Sequence, residues 1–193
     1  MLPSYDTTKA RVLKFLCILV IIFIIFGAIQ IPIPVKAETK GTHVVDSMLD
    51  TNPASDANPG DGVCKTSSNV CTLRAAIEEA NASSGSDTIT FDSSVTSVIL
   101  QTALPALTDT SGGTTILGKS DNVYIIGTLT ASGTNGFVLT SNNNKIQGLD
   151  IVGFSGNGIV INGDNNTIGT NGDGTNDSVE DNFIRNNGKN GIL

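Results

Sequence analysis

The chain repeats itself near its C-terminus at an interval of 22 residues. Segments 135–146 and 157–168 carry Asn, Gly, Val, Asn, Asn and Ile at equivalent positions, and apolar residues flank the shared Val in both. Short β-like runs with Gly and Asn corners at a period of about 20 to 25 residues are typical of a β-solenoid, because helical repeats need about 33 residues or more. The repeat therefore predicts an all-β fold, a parallel β-helix with about 22 residues per coil.

Two weaker sequence similarities extend the repeat in both directions. At a spacing of 21, residues 122–127 match residues 143–148 in Asn, Ile and Gly, which predicts equivalent places in successive coils. At a spacing of 33, residues 157–159 match residues 190–192. The 11 residues in excess of 22 are expected to form a polar loop at residues 171–181.

The paired asparagines at positions 143 and 144 recur at positions 165 and 166. Asn tolerates the left-handed backbone conformation, and its amide can hydrogen-bond to the equivalent amide one coil away. A ladder of corner asparagines is therefore predicted, and sugar binding by the same ladder is the alternative. Four apolar residues of the repeat are expected to lie in the core: Val138, Ile146, Val160 and Ile168.

The N-terminus has the pattern of an export signal. Lys9, Arg11 and Lys14 precede an apolar run of 15 residues at 15–29, and Val-Lys-Ala at 35–37 offers small residues for cleavage. As a helix this run spans roughly 22 Å, which is shorter than a hydrocarbon core of about 30 Å. Residues 1–37 are predicted to be a signal peptide, with an uncleaved anchor as the alternative. Either way the remainder lies outside the cytoplasm.

The charge of that remainder excludes one class of partner. The first 37 residues hold four of the 11 Lys and Arg residues and one of the 18 acidic residues, which leaves a formal charge of −10. Such a chain repels nucleic acid and anionic lipid surfaces. No nucleic-acid partner is expected, and membrane contact is expected only through residues 1–37 or regions beyond Leu193.

Two cysteines follow the predicted signal. Cys64 and Cys71 are an even number in an oxidising compartment and enclose a short polar loop, so a disulfide is predicted. A zinc site would need two more ligands, and the single histidine, His43, lies 21 residues upstream. His43 is expected on the surface of a strand at residues 42–46. No cofactor or metal is expected.

One convincing helix follows Cys71, at residues 72–81. Thr72 is a suitable N-cap, and the apolar residues recur at the spacing of an amphipathic helix. A strand with period-two alternation is predicted next, at residues 88–92. The helix is expected to cover the open end of the β-helix. The residues assigned to it are Thr72, Leu73, Arg74, Ala76, Ile77 and Ala80.

Three stretches of this region share a known pattern: residues 56–64, which end in Gly-Asp-Gly-Val-Cys, residues 71–77, Cys-Thr-Leu-Arg-Ala-Ala-Ile, and residues 79–81, Glu-Ala-Asn. Together they resemble the CSLREA domain, a short module of exported bacterial and archaeal proteins. It commonly precedes right-handed parallel β-helix repeats, sometimes likened to chlamydial polymorphic outer-membrane proteins. The resemblance implies a cap at residues 38–86, a right-handed β-helix at residues 87–193, and no assigned catalytic residue.

Acidic loops raise the question of calcium. Asp173, Asp177 and Asp181 lie in the polar loop and are candidate ligands of a weak calcium site, although the order of ligands in a calcium-binding EF-hand loop is not met. Asp50, Asp56, Asn58 and Asp61 form a second acidic cluster. The alternative for both is a solvated turn.

Two classes of function remain. The first is a non-enzymatic scaffold, secreted or held at a prokaryotic cell surface, with extracellular polysaccharide or envelope components as partners. The alternative is a polysaccharide lyase or glycoside hydrolase whose active site lies in downstream coils, since the pairs of acids that hydrolysis needs do not recur at coil spacing here. Further coils are expected because residues 190–193 open another strand, and the uncovered strands at 184–193 are expected to associate end to end.

Overall fold

Short strands make up most of the structure, a computed structural model that describes residues 41–51, 54–120 and 122–193. The predicted signal peptide lies outside the described residues. Those residues hold two helices, α1 (Leu73–Ala82) and α2 (Asp177–Glu180). Across the same ranges, we find no helix with the length and apolarity that a membrane crossing requires. The strands are β1 (Thr42–Val45), β2 (Asp87–Phe91), β3 (Ser97–Ile99), β4 (Thr114–Leu117), β5 (Val123–Ile126), β6 (Phe137–Leu139), β7 (Lys145–Gln147), β8 (Leu149–Val152), β9 (Ile159–Ile161), β10 (Thr167–Ile168) and β11 (Phe183–Arg185).

The strands pair in parallel and form three sheets. Sheet 1 has the order β1-β2-β4-β7-β10, sheet 2 has the order β11-β8-β5-β3, and sheet 3 pairs β6 with β9. Isolated parallel bridges join Leu49 to Ile99, Leu107 to Leu139 and Ile159 to Ile192. From β4 onward the chain visits sheets 1, 2 and 3 in a fixed cyclic order. The fold is therefore mostly strands in parallel sheets, with few helices.

The register of the strands confirms two of the three sequence spacings. Phe137 pairs with Ile159 and Lys145 pairs with Thr167, so the 22-residue repeat sets the pairing in sheets 1 and 3. Asp150 pairs with Phe183 at a spacing of 33. The additional residues form the polar loop at 171–181, which contains α2.

The similarity at a spacing of 21 residues does not relate neighbouring strands of one sheet, so the prediction of equivalent places in successive coils was wrong. Ile125 pairs with Ile151 in sheet 2, whereas Ile146 pairs with Ile116 in sheet 1. Asn122 and Asn143 both have positive φ, at 51° and 62°, just before a strand. The same corner motif therefore introduces strands of two different sheets, and sequence similarity alone does not distinguish them.

One contiguous apolar core includes residues from all three sheets and from α1. In β6 the side chains of Phe137 and Leu139 are buried, while Val138 between them is only partly buried. The prediction that Val138 and Val160 lie in the core was wrong by one position, because alternate residues of a strand face opposite sides. Ile146 is fully buried as predicted, and Ile168 packs against the core while partly buried.

The corner asparagines form the predicted ladder. Asn143 and Asn165 have φ angles of 62° and 56°. Asn144 is fully buried, and its Nδ2 donates to Oδ1 of Asn166 at 2.9 Å. Its own Oδ1 accepts from the backbone N–H of Thr114 at 2.9 Å. These amides satisfy buried backbone groups where strands of sheet 1 begin.

Helix α1 and a disulfide organise the region before β2. The Thr72 side chain accepts a hydrogen bond from the N–H of Ala75, as expected of an N-cap. An apolar stripe of Leu73, Ala76, Ile77 and Ala80 is buried in the core. The predicted disulfide joins Cys64 to Cys71.

The disulfide is expected to stabilise the fold by restricting the unfolded chain. The sequence separation of the two cysteines is 7 residues. Closing a loop of about eight residues contributes about 2.5 kcal/mol in the chain-entropy model. The variant with Cys64→Ser and Cys71→Ser should lose about this much free energy of unfolding in urea titrations. An unchanged midpoint and slope would show that restricting the unfolded chain at this loop contributes no measurable stability.

Candidate functional site

An open groove lies on the outer face of sheet 2, with a volume of about 430 Å³. Alternate residues of its strands face inward, so Ile125 and Ile151 are fully buried and their neighbours face outward. In register across β5, β8 and β11, the outward residues are Tyr124, Asp150 and Phe183. The described residues that line the groove are Ser120, Asn122, Tyr124, Asp150, Ser178, Phe183 and Arg185.

An ion pair between Asp150 and Arg185 forms the floor of the groove. The Nη2 atom of Arg185 donates to Oδ2 of Asp150 at 2.7 Å, and Nε donates to Oδ1 at 3.1 Å. Asp150 is 5% exposed, whereas about half of the Arg185 side chain, 49%, is open to solvent. The hydrogen bond from Arg185 to Asp150 and the charge of that carboxylate raise the pKa of Arg185, with a smaller contribution from Tyr124.

Two aromatic side chains stand on either side of Asp150, in register with it on β5 and β11. Tyr124 is 41% exposed and Phe183 is 57% exposed, although large aromatic groups are usually withdrawn from water. The polar loop contributes Ser178 of α2 to the lining. The groove therefore combines apolar ring surfaces, hydroxyl and amide groups, and a charge pair that is neutral as a unit.

This composition suits non-covalent binding. Asp150 is the only carboxylate among the described lining residues, and Arg185 contacts both of its oxygens. Arginine and aromatic residues are the side chains that most often dominate binding surfaces.

The residues predicted as weak calcium ligands do not converge in the structure. Asp173 accepts hydrogen bonds from Asn171 Nδ2 and the N–H of Thr175, both within its own turn. Asp177 accepts from the Thr170 hydroxyl, and Asp181 is exposed after the end of α2. In the described part of the chain no three His, Cys, Asp or Glu residues are grouped to hold a metal ion.

The second acidic cluster is used for hydrogen bonds inside the N-terminal region. Asp50 binds Arg74, and Asp56 accepts from the N–H groups of Asn58 and Lys65. Two carboxylates of α1 hold the same loop. Glu79, which is fully buried, accepts from the N–H groups of Gly60 and Gly62, and Glu78 accepts from the N–H of Asp56. The geometry thus gives these acids a structural role.

A buried polar group lies at the start of sheet 1. His43 is 3% exposed, so its predicted surface position was wrong; in β1 the alternation places it inside, with Thr42 and Val44 exposed. Its Nε2 atom lies 3.7 Å from Oδ1 of Asp87, and that oxygen accepts a hydrogen bond from the N–H of Gly41 at 2.8 Å. Burial of Asp87 raises the pKa of its carboxyl, partly offset by these two neighbours, while Asp109 and Glu79 raise it further.

The raised pKa of Asp87 gives stability a pH dependence of known sign. Between the ordinary pKa and the raised value the folded state binds the extra proton, so stability falls as pH rises through that window. Asn at position 87 keeps an acceptor for Gly41 but carries no proton. The stability of Asp87→Asn relative to the wild type should therefore increase from about pH 3 to neutrality in urea titrations. Parallel pH profiles for the two proteins would show that Asp87 titrates normally.

Sequence reasoning did not find the groove. Its central residues, Tyr124, Asp150 and Phe183, lie 26 and 33 residues apart in register, whereas the search for recurring acids used a coil spacing of 22. A usable signal was present in the strands themselves. Tyr124, Phe183 and Arg185 each alternate with an inward isoleucine, which marks them as outward residues.

Comparison of the chain with family models, curated proteins and solved structures finds no match.

Proposed function

We propose that this chain is an exported, non-enzymatic scaffold built as a right-handed parallel β-helix with a capping module at its N-terminus. The fixed order in which the strands visit sheets 1, 2 and 3 supports stacked coils around a shared core. Crossovers between parallel strands are right-handed in about 98% of cases, which favours that hand. Between β1 and β2, the first two strands of sheet 1, the chain forms the disulfide loop and α1. Between later strands of sheet 1 it forms a strand of sheet 3 instead.

The capping role rests on contacts of α1. The Asn81 side chain of α1 donates to the carbonyl of Ala106 and accepts from the N–H of Thr108. These two residues flank Leu107, which forms a parallel bridge with Leu139 of sheet 3. An open end of a solenoid exposes apolar surface and unpaired strand edges, and a covering helix protects both. The resemblance of residues 56–81 to the CSLREA domain supports the same arrangement and an extracytoplasmic location, secreted or at a prokaryotic cell surface.

The main support for a binding function of the scaffold is the groove on sheet 2. The exposed rings of Tyr124 and Phe183 lie on either side of Asp150 on the outer face of sheet 2, and Arg185 pairs with Asp150 there. Exposed apolar groups beside oriented polar groups mark a binding surface. The scaffold would use it to hold extracellular polysaccharide or envelope components, as an adhesin or structural component.

The test separates binding from catalysis. The full chain is expressed in a bacterial host, recovered from the medium or the cell surface, and sedimented with insoluble polysaccharides and isolated cell envelopes. We expect exported protein that co-sediments with at least one of these materials and releases no new reducing ends. Protein retained in the cytoplasm would contradict the proposal. Release of reducing ends or unsaturated sugars would favour a hydrolase or a lyase instead.

A further inference from the structure

We propose that the groove between Tyr124 and Phe183 is a subsite for one or two neutral pyranose units of a polysaccharide. This inference rests on the proposed function and specifies the ligand of that binding surface. Strands in a sheet lie about 4.8 Å apart, so the outward residues of β5 and β11 stand about 10 Å apart on either side of Asp150. That width and the volume of about 430 Å³ suit sugar rings rather than a folded partner.

The floor of the groove supplies hydrogen bonds without net charge. Asp150 and Arg185 neutralise each other, while the half-exposed guanidinium has five N–H donors, more than its bonds to Asp150 use. Asn122, Ser120 and Ser178 add groups that donate and accept. A sugar hydroxyl both donates and accepts, so it matches this mixed lining better than a group that only accepts.

The walls of the groove favour the apolar faces of a sugar. Aromatic rings have a negative face, and the C–H groups of a pyranose are weakly positive, so the two surfaces attract each other while water is displaced. Tyr124 and Phe183 present such surfaces and are exposed by 41% and 57%. A peptide could use the same rings, but a sugar also offers several hydroxyl groups to the polar floor of the groove.

The charge of the chain favours a neutral sugar over a uronate or a sulfated one. Without the first 37 residues the formal charge is −10, and the one arginine in the groove is already paired with Asp150. A polyanion would meet long-range repulsion, and among the described lining residues no unpaired cation would offset it. Neutral polymers of glucose, xylose or mannose avoid this repulsion.

Tyrosine fluorescence gives a direct readout, because the chain has two tyrosines and no tryptophan. In the full chain carrying Tyr5→Phe, Tyr124 is the only tyrosine. This protein is titrated with cellohexaose, xylohexaose and mannohexaose, and with hexagalacturonate as the charged probe. We expect one of the neutral hexasaccharides to change the emission with saturation, and hexagalacturonate to bind at least tenfold more weakly or not at all.

Variants locate the site by calorimetry with the neutral hexasaccharide that binds. Tyr124→Ala and Phe183→Ala should each weaken binding about tenfold, since each removes one ring surface. Tyr124→Phe, which keeps the ring, should retain most of the affinity. Leu129→Ala is the matched control, because Leu129 is a 63% exposed apolar residue that does not line the groove. Its affinity should be unchanged.

The outcomes separate this inference from the proposed function. If the wild-type chain co-sediments with polysaccharide but the two alanine variants bind equally well, the groove is not the subsite and the scaffold proposal stands. Stronger binding of hexagalacturonate than of every neutral probe would overturn the choice of a neutral sugar. Absence of a saturable emission change with all four probes would overturn the subsite itself.

Discussion

Replacing Arg74 with alanine is expected to lower the free energy of unfolding by about 3 to 5 kcal/mol. Arg74 donates from Nη2 to Oδ2 of Asp50 at 2.6 Å and from Nε to Oδ1 at 3.0 Å. The Asp50 side chain is only 1% exposed, so the variant would leave an ionised carboxylate buried without its partner. The guanidinium also donates to Thr102 and Ala103, which joins α1 to the chain after β3. Urea unfolding followed by circular dichroism measures the change.

The Asp150–Arg185 pair provides the control for this result. Arg185 makes a similar contact, but about half of its side chain is open to solvent and water can reach the Asp150 carboxylate once the guanidinium is gone, so Arg185→Ala should cost clearly less than Arg74→Ala. The double variant with Arg74→Ala and Asp50→Ala should recover part of the loss, because the uncompensated charge is then removed. Equal losses in both single variants would show that burial does not set the strength of the Arg74 pair.

Replacing Asn144 with alanine is expected to lower the free energy of unfolding by about 2 to 4 kcal/mol, because each buried polar group left unpaired costs about 1 to 3 kcal/mol. Asn144 is fully buried and joins three consecutive passes of the chain. Its Oδ1 accepts from Thr114, and its Nδ2 donates to Ser141 and to Asn166. Alanine would leave these groups without partners in the interior. Urea unfolding again gives the value.

Asn142 is the matched control for Asn144. It lies two residues earlier in the same corner and is exposed, and its Oδ1 accepts from the N–H of Asp164 at 2.7 Å. Water can replace that bond, so Asn142→Ala should cost about 1 kcal/mol or less. If Asn144→Ala were no more destabilising than Asn142→Ala, the buried ladder would not hold the passes together.

Several features of the fold were predictable because they depend on local chemistry. Helix α1 begins after Thr72 as the N-cap pattern indicated, and it ends one residue later than predicted. The disulfide was predicted from two cysteines that follow a predicted export signal. The pairing of Phe137 with Ile159 followed from the 22-residue repeat, since identical corners place identical strands in register.

Other features depend on contacts that a single repeat does not encode. From β2 onward the spacing in register varies from 22 to 33 residues because turns and the polar loop differ in length, so the similarity at a spacing of 21 related strands of different sheets. His43 was predicted on the surface because Asp87, the acid beside it in the fold, lies 44 positions later in the sequence. The two side chains come close only when β1 pairs with β2. The groove combines residues of β5, β8 and β11, and no one of these segments predicts it alone.

The central claim is that the chain forms stacked coils around one core. Contacts between methyl groups in solution test this claim most directly. Ile146, Ile151 and Ile159 belong to sheets 1, 2 and 3, and all three are fully buried. In a methyl-labelled sample of the full chain, nuclear Overhauser effects should connect residues of all three sheets through this core, in addition to the pairs Ile116–Ile146 and Ile125–Ile151 along the stack. Effects confined within each sheet, with none between sheets, would contradict the proposed β-helix.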